Sequence, residues 1–91
     1  MSGLLENKVC IITGASRGIG KETAELFASE GATVIVNAST NGSADEWISH
    51  SRYQKNLKTY YFDITDNKAV RENILAIKNK FGCIDILINN A

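Results

Sequence analysis

The chain has 91 residues, 44% of them hydrophobic, which fits one small domain with a thin core. Its ten Lys and Arg balance its ten Asp and Glu and are scattered along the chain, which argues against a nucleic-acid-binding surface. No segment approaches the roughly 20 apolar residues of a membrane span, and the N-terminus lacks the apolar core of a signal peptide, so we expect a cytoplasmic protein with no membrane partner.

The chain begins with a predicted strand, a glycine-rich turn and a helix. Residues 9–13 form a short β-branched run that ends at a glycine, which is typical of a strand buried on both faces of a parallel sheet. From Gly18 the spacing of apolar residues becomes helical, and Gly31 is placed to end the helix. The apolar face of this predicted helix carries Ile19, Thr23, Leu26 and Phe27.

Two more strands and a short helix come next. Residues 33–36 and residues 59–62 are rich in β-branched and aromatic side chains, which predicts two further strands. Between them lies a polar segment whose residues 44–51 are predicted to form a short helix with Trp47 turned inward. We interpret Trp47 and the aromatic residues of the third strand as core packing, and His50 as a solvent-exposed side chain.

The last predicted helix and strand complete an alternating pattern. Asp66 is a candidate N-cap, and Gly82 is placed to end the helix that follows it. The apolar face of that helix carries Val70, Ile74, Ile77 and Phe81. Residues 84–88 predict a fourth strand, at whose start we interpret Asp85 as a turn cap. This order of elements predicts an α/β fold, a doubly wound parallel sheet with strand order 3-2-1-4.

The fourth predicted strand has an unpaired edge. It is apolar enough to be buried between two neighbours, yet no fifth strand follows it in the sequence. Because an exposed strand edge pairs readily with another chain, we expect self-association or a missing C-terminal half to cover it.

The two cysteines, Cys10 and Cys83, have no metal-ligand spacing and no nearby cluster of His or acids. We expect two buried, reduced thiols and no metal site.

A glycine pattern connects the first strand to the first helix. Thr13 is followed by Gly14, Gly18 and Gly20 in the spacing T-G-x-x-x-G-x-G. Gly14 allows a tight turn, Gly18 lets the backbone approach a pyrophosphate, and Gly20 permits close packing of helix on strand. The helix N-terminus after such a turn presents backbone N–H groups to a phosphate.

This pattern resembles that of the short-chain dehydrogenase/reductase family. Asp63-Ile64 after the third strand and Asn89-Asn90-Ala91 after the fourth also match the family, so the resemblance covers the whole chain. It is closest to the bacterial 3-oxoacyl-[acyl-carrier-protein] reductases of fatty acid biosynthesis, which share Thr-Gly-Ala-Ser-Arg-Gly-Ile-Gly. The resemblance implies a Rossmann-type dinucleotide-binding fold, here truncated after four strands.

The end of the second predicted strand favours NADP over NAD as cofactor. Enzymes that prefer NAD usually place an acid there, about 20 residues past the glycine turn, to bind the ribose 2′-hydroxyl. Residues 36–40 contain no carboxylate, whereas Arg17 can reach the same pocket with a guanidinium suited to phosphate oxygens. Ser39 and Thr40 add hydroxyl donors. The alternative interpretation of Arg17 is a solvated loop cation.

The resemblance implies further cofactor contacts. The Asp63 carboxylate and the Ile64 backbone are expected at the adenine, and the Asn90 backbone beside the adenosine ribose; Asp63 can also cap loop amides. The complete set of candidate cofactor-binding residues is Gly14, Ser16, Arg17, Gly18, Ile19, Gly20, Ser39, Asp63, Ile64 and Asn90.

The resemblance also implies that the family's catalytic Ser, Tyr and Lys lie beyond the Asn-Asn-Ala motif. None of Tyr53, Tyr60 and Tyr61 is followed four residues later by Lys, so none matches the family's catalytic pair. We therefore expect residues 1–91 to form the NADP-binding half of an NADPH-dependent carbonyl reductase, with the catalytic half absent. The alternative is a catalytically inactive, stand-alone nucleotide-binding or interaction module.

Overall fold

The computed structural model describes residues 3–90, which form a four-stranded parallel sheet with helices on both faces. The strand order β3-β2-β1-β4 confirms the predicted topology. Ala91, the last residue of the Asn-Asn-Ala motif, lies outside the described residues. In chain order the elements are β1 (Val9–Ile12), α1 (Gly18–Ser29), β2 (Thr33–Ala38), α2 (Asp45–His50), a 3-10 turn (Gln54–Asn56), β3 (Leu57–Tyr61), α3 (Asn67–Phe81) and β4 (Ile86–Ile88).

The core has two layers because successive residues of a strand point to opposite faces of the sheet. On one face, side chains such as Cys10, Ile12 and Val36 pack against α1 and α2. On the other face, Ile11 and Ile77 belong to a smaller cluster beneath α3. All four residues of β1 are buried, as expected for a central parallel strand covered on both faces.

The prediction of which α1 residues face the core was partly wrong. Ile19 is 75% exposed and Leu26 is 58% exposed, whereas Phe27 does pack against the core. The residues that α1 buries are small and four apart in sequence: Gly20, Ala24 and Ala28. A helix that presents such a strip to a sheet approaches it closely, so its larger apolar side chains are left at the sides.

The strand limits differ from the prediction by one or two residues, and β2 extends to Ala38 instead of ending at residue 36. β3 begins at Leu57, two residues earlier than predicted, because buried Leu57 pairs with Val34 of β2. β4 begins only at Ile86. Just before it, Asp85 accepts a hydrogen bond from the Val9 N–H through Oδ2 at 2.9 Å, and its own N–H donates to the Val9 carbonyl at 2.8 Å. Asp85 therefore joins the starts of two adjacent strands instead of capping a local turn.

The predicted limits of α3 are confirmed. The side chain of Asp66 accepts hydrogen bonds from the backbone N–H groups of Lys68 and Ala69, which makes it the N-cap. Gly82 ends the helix at φ +97°, a conformation that glycine adopts without strain. Ile77 is the fully buried residue of the helix.

Cys83 was predicted to be buried, and that prediction was wrong. Cys10 is buried in β1, but Cys83 is exposed in the loop before β4; both are free thiols. The apolar run that Cys83 precedes joins the sheet only after Asp85, so the thiol stays outside the core. Within residues 3–90, no helix combines the length and apolar character needed to cross a membrane.

Candidate functional site

A cleft of about 200 Å³ lies at the carboxyl ends of β1, β2 and β3. In open α/β sheets this edge is where ligands bind, because the loops after neighbouring strands converge there. Glycine, hydroxyl and amide groups make up most of the wall. The lining residues are Gly14, Ser16, Asn37, Ala38, Ser39, Thr40, Ser43, Phe62, Asp63 and Ile64.

The glycine-rich turn after β1 forms one wall of the cleft. Gly14 and Gly18 have φ values of +62° and +63°, in the left-handed region that glycine occupies at little cost. Arg17 precedes α1 in extended conformation, and its side chain makes no capping hydrogen bond to the helix. The first turn of α1 is therefore not capped by its own N-cap side chain, an arrangement suited to binding an anion.

Gly20 lies where α1 comes closest to the turn. A Cβ at this position would overlap the Gly14 carbonyl oxygen and would lie 2.7 Å from Asn90 Nδ2 and 2.9 Å from Ala15 Cα. The backbone of Gly20 is helical, so contact with neighbouring atoms, and not an unusual φ, requires glycine here. The close helix-to-strand approach expected from the sequence is therefore present.

Hydrogen bonds connect the glycine turn to the segment after β4. The Thr13 hydroxyl donates to Asn89 Oδ1 at 3.1 Å and accepts from the Asn90 N–H at 2.9 Å. Asn90 Nδ2 donates to the Gly14 carbonyl at 3.0 Å. Both the N–H and the side-chain amide of Asn90 are thus used within the protein, which fixes the turn against β4.

The end of β2 forms the floor of the cleft. Asn37 is 1% exposed, and its side-chain amide donates to the carbonyl oxygens of Tyr60 and Phe62, which ties β2 to β3 beyond the strand ladder. Ser39 and Thr40 follow with exposed hydroxyl side chains. Among the described residues that line the cleft, Asp63 is the sole carboxylate, and it follows β3 instead of standing at the end of β2.

Asp63 forms a local turn after β3. Its Oδ1 accepts hydrogen bonds from the Thr65 N–H at 2.9 Å and from the Thr65 hydroxyl at 2.7 Å, while Oδ2 enters neither contact. These two bonds, that of the backbone N–H first, lower the pKa of the exposed Asp63 carboxyl from its usual value. Asp63 is therefore ionised at neutral pH, and Oδ2 takes no part in the two hydrogen bonds to Thr65.

Helix α2 flanks the glycine turn from the side of β2. The Trp47 indole N–H donates to the Ala15 carbonyl at 3.2 Å. The Tyr61 hydroxyl accepts from the Ala44 N–H at 3.0 Å and donates to Asp45 Oδ1 at 2.7 Å. Burial first, and then the hydrogen bond to Asp45, raise the pKa of Tyr61 to about 12. The core positions predicted for Trp47 and Tyr61 are confirmed, but the sequence carried no signal for these polar contacts.

The structure brings half of the candidate residues into one cleft. Those that line it are Gly14, Ser16, Ser39, Asp63 and Ile64. The remaining candidates, which belong to the turn, to the start of α1 or to the segment after β4, lie beside the cleft: Arg17, Gly18, Ile19, Gly20 and Asn90. The Arg17 side chain is exposed.

One residue of the cleft, Ser43, was missed from the sequence, and His50 was correctly left out of the cleft. Ser43 lines the cleft although the sequence did not mark it; it lies in a turn where its N–H donates to the Thr40 carbonyl. His50 is exposed, as predicted, and its Nδ1 lies 2.9 Å from the Glu46 carbonyl oxygen. Across residues 3–90, no group of three or more His, Cys, Asp or Glu side chains is placed to hold a metal ion.

Comparison with known proteins points to one family. The family model described as short chain dehydrogenase matches residues 8–91. The 3-oxoacyl-[acyl-carrier-protein] reductase FabG of Thermotoga maritima is 41% identical over 88 residues, which are 96% of this chain and 36% of that protein. Galactitol 2-dehydrogenase of Agrobacterium fabrum is also 41% identical, over 87 residues that cover 96% of this chain and 33% of that protein.

Solved structures agree with the sequence relatives. A short chain dehydrogenase from Bacillus anthracis is 39% identical and superposes with a TM-score of 0.88, over 96% of this chain and 35% of that one. The chain thus spans about a third of the length of the curated relatives that it matches.

Proposed function

Because the chain belongs to the short-chain dehydrogenase family, we propose that it binds NADP(H) in the cleft at the carboxyl ends of β1–β3. Members of this family are oxidoreductases that use nicotinamide cofactors. We further propose that residues 1–91 are the dinucleotide-binding part of an NADPH-dependent carbonyl reductase.

The proposed binding mode assigns each part of the cofactor to a wall of the cleft. The pyrophosphate lies against the glycine turn and the first turn of α1, where backbone N–H groups and the helix dipole favour negative charge. The adenine lies between the turn and the β3 end, where Asp63 Oδ2 accepts a hydrogen bond from the exocyclic amine and the Ile64 backbone contacts the ring. Support comes from the shared cleft of Gly14, Ser16, Asp63 and Ile64.

The observation that carries the choice of NADP is the absence of a carboxylate at the end of β2 among the described residues that line the cleft. A carboxylate there would repel a 2′-phosphate and bind a 2′-hydroxyl instead. In its place stand the hydroxyls of Ser39 and Thr40, and the exposed Arg17 lies one residue beyond Ser16 of the cleft wall. A guanidinium and hydroxyl donors are suited to phosphate oxygens.

The test is calorimetric titration of NADPH and NADH into wild type and two charge-reversal variants. We expect Arg17→Glu to weaken NADPH binding roughly 10- to 100-fold, the value of a charge-assisted hydrogen bond, and to leave NADH binding within a factor of about two. Arg52→Glu makes the same charge change at an exposed position outside the cleft and should leave both affinities unchanged. Equal loss of NADPH and NADH binding in Arg17→Glu would contradict the assignment of Arg17 to the 2′-phosphate.

The proposed reaction is hydride transfer from NADPH to the carbonyl carbon of a 3-oxoacyl thioester, with a proton supplied to the oxygen. This substrate class is suggested by relatives named as 3-oxoacyl-[acyl-carrier-protein] reductases. The loss of NADPH absorbance with an acetoacetyl thioester measures the reaction directly in a chain that also contains the catalytic half. Because the galactitol enzyme is equally similar, NADP⁺ reduction by galactitol is the matched comparison. Binding of NADPH without turnover of any carbonyl or alcohol, in a chain that contains the catalytic half, would favour the alternative of an inactive nucleotide-binding module.

We also propose that the outer edge of β4 is covered by the remaining part of a short-chain dehydrogenase chain. β4 is the last strand in the order β3-β2-β1-β4, so its outer edge is unpaired among the described residues. On the adjoining face of the sheet, Leu87 is 62% exposed and borders an apolar groove of about 210 Å³ that reaches Val70 and Ile74 of α3. About two thirds of the length of the relatives lies outside the matched part, which is enough to cover both. If a second copy covers the edge instead, light scattering will show a dimer that Leu87→Lys converts to monomer.

A further inference from the structure

Trp47, which lies outside the glycine pattern of residues 13–20, makes a hydrogen bond to the glycine turn. Trp47, the single tryptophan of the chain, is half-buried on α2 and packs against the core cluster that contains Ala15. Its indole N–H donates to the Ala15 carbonyl at 3.2 Å. The Lys21 ammonium lies 5.9 Å from the centre of the Trp47 ring, so α1 also borders it.

Trp47 binds Ala15, a residue of the glycine turn whose N–H and carbonyl are both hydrogen-bonded. Ala15 is fully buried, and its N–H donates to the Asn37 carbonyl at 2.9 Å. Its carbonyl is held from another side by Trp47. The peptide group between Ala15 and Ser16 is planar and trans, so its carbonyl and its N–H point in opposite directions. By holding the carbonyl, Trp47 sets the direction of the Ser16 N–H, away from α2.

The position of α2 is itself fixed to the sheet. The Tyr61 hydroxyl, on β3, binds the Ala44 N–H and the Asp45 carboxylate at the start of the helix. A short helix of six residues has little stability of its own, so such anchors determine where Trp47 lies. The chain of contacts therefore runs from β3 through α2 to the glycine turn.

We infer that Trp47 is a positioning residue for dinucleotide binding: it holds the Ala15 carbonyl so that the Ser16 peptide N–H faces the phosphates of the cofactor. This inference rests on the proposed function for the identity of the ligand. Trp47 acts on the turn directly through its indole N–H, whereas Tyr61 acts only by anchoring α2. Loss of one neutral hydrogen bond predicts a two- to tenfold effect, in the range of its usual net value.

The experiment compares wild type with Trp47→Phe, which keeps a ring in the core and removes the indole donor. Tyr53→Phe is the control, because Tyr53 packs against the same core cluster and no described hydrogen bond joins it to the turn. Amide hydrogen exchange measured by NMR without ligand reports on the turn, and calorimetric titration with NADPH reports on binding. We expect Trp47→Phe to speed exchange of amides 16–20 about two- to tenfold and to raise the NADPH Kd by a similar factor. In Trp47→Phe, the exchange rates of amides in β1 and β2 should change by less than a factor of about two. In Tyr53→Phe, the exchange rates at the turn and the NADPH Kd should both change by less than this factor.

Two results with the Trp47→Phe variant would overturn the inference. One is faster exchange by the same factor in turn and sheet, which is the signature of lost core packing. The other is unchanged exchange at the turn in a folded Trp47→Phe protein. In wild type the single indole proton should exchange more slowly than that of free tryptophan, and equal rates would likewise overturn the inference without need of a variant. If wild type fails to bind NADPH, the proposed function is wrong, and the exchange data still decide whether Trp47 positions the turn.

Discussion

Replacing Gly20 by alanine tests the close approach of α1 to the glycine turn. In an ordinary helix interior this change stabilises a protein by about 1 kcal/mol, because alanine has the higher helix propensity. Here the new methyl group overlaps the Gly14 carbonyl oxygen and lies 2.7 Å from Asn90 Nδ2. Backbone atoms move less easily than the end of a flexible side chain, so α1 must shift away from β1.

The magnitude follows from three contributions. Overpacking against backbone costs about 2–3 kcal/mol, and loss of the hydrogen bond from Asn90 to the Gly14 carbonyl costs about 1 kcal/mol more. The gain in helix propensity offsets about 1 kcal/mol of this. We therefore expect the free energy of unfolding to fall by about 2–3 kcal/mol and Tm to fall by roughly 8–24 °C for a domain of this size.

Thermal unfolding followed by circular dichroism measures this effect, with NADPH titration on the folded variant. Gly82→Ala is the control, since a Cβ there meets no atom within 4 Å while the φ of +97° makes the substitution strained. Gly82→Ala should lower Tm and leave NADPH binding unchanged. Gly20→Ala should lower Tm and also weaken NADPH binding. A Gly20→Ala protein with a Tm equal to or above that of wild type would refute the close-packing argument.

Further predictions concern thiols, a helix cap and pH. At about pH 8, Ellman's reagent should label exposed Cys83 in the folded protein and reach buried Cys10 only after unfolding, because burial, followed by the charge of Asp85, raises the pKa of Cys10 to about 11. Asp66→Ala removes the N-cap of α3 and should lower the free energy of unfolding by about 1 kcal/mol in urea titrations, whereas an unchanged midpoint would argue against the cap. The lowered pKa of Asp63 means that its ionised form stabilises the fold above the ordinary value of 3.8 and that this contribution is lost as pH falls through the lower folded value. Asp63→Asn should therefore have a lower Tm than wild type at pH 7, and a difference that persists unchanged near pH 2 would contradict this linkage.

Local sequence signals predicted the parts of the fold whose causes are local. The N-cap Asp66 and the terminal Gly82 limit α3 in the structure as they do in the sequence pattern. The β-branched runs became parallel strands in the predicted order, since alternating strands and helices leave few unknotted right-handed topologies.

The errors arose where packing against a distant segment determines which side chains are buried. Hydrophobicity placed Ile19 and Leu26 on the inner face of α1, but the sheet accepts a strip of small residues there, and the larger side chains remain exposed. Likewise Cys83 follows an amphipathic helix and precedes an apolar run, yet the sheet begins only after Asp85 has bonded to Val9. No local pattern records the position of a neighbouring strand.

In the candidate site, too, the sequence predicted the local features and the structure alone showed the long-range contacts. By itself the sequence determined that a glycine turn joins a buried strand to a helix, and that residues 36–40, at the end of β2, contain no acid, because backbone conformation and residue charge are local properties. Tertiary structure alone decided that Ser43 enters the cleft, that Asn90 closes on the Gly14 carbonyl, and that Trp47 holds Ala15. The two hydrogen bonds, of Trp47 and of Asn90, join residues 32 and 76 positions apart, and hydrogen bonds over such separations exist only once the sheet has set the distance between its strands.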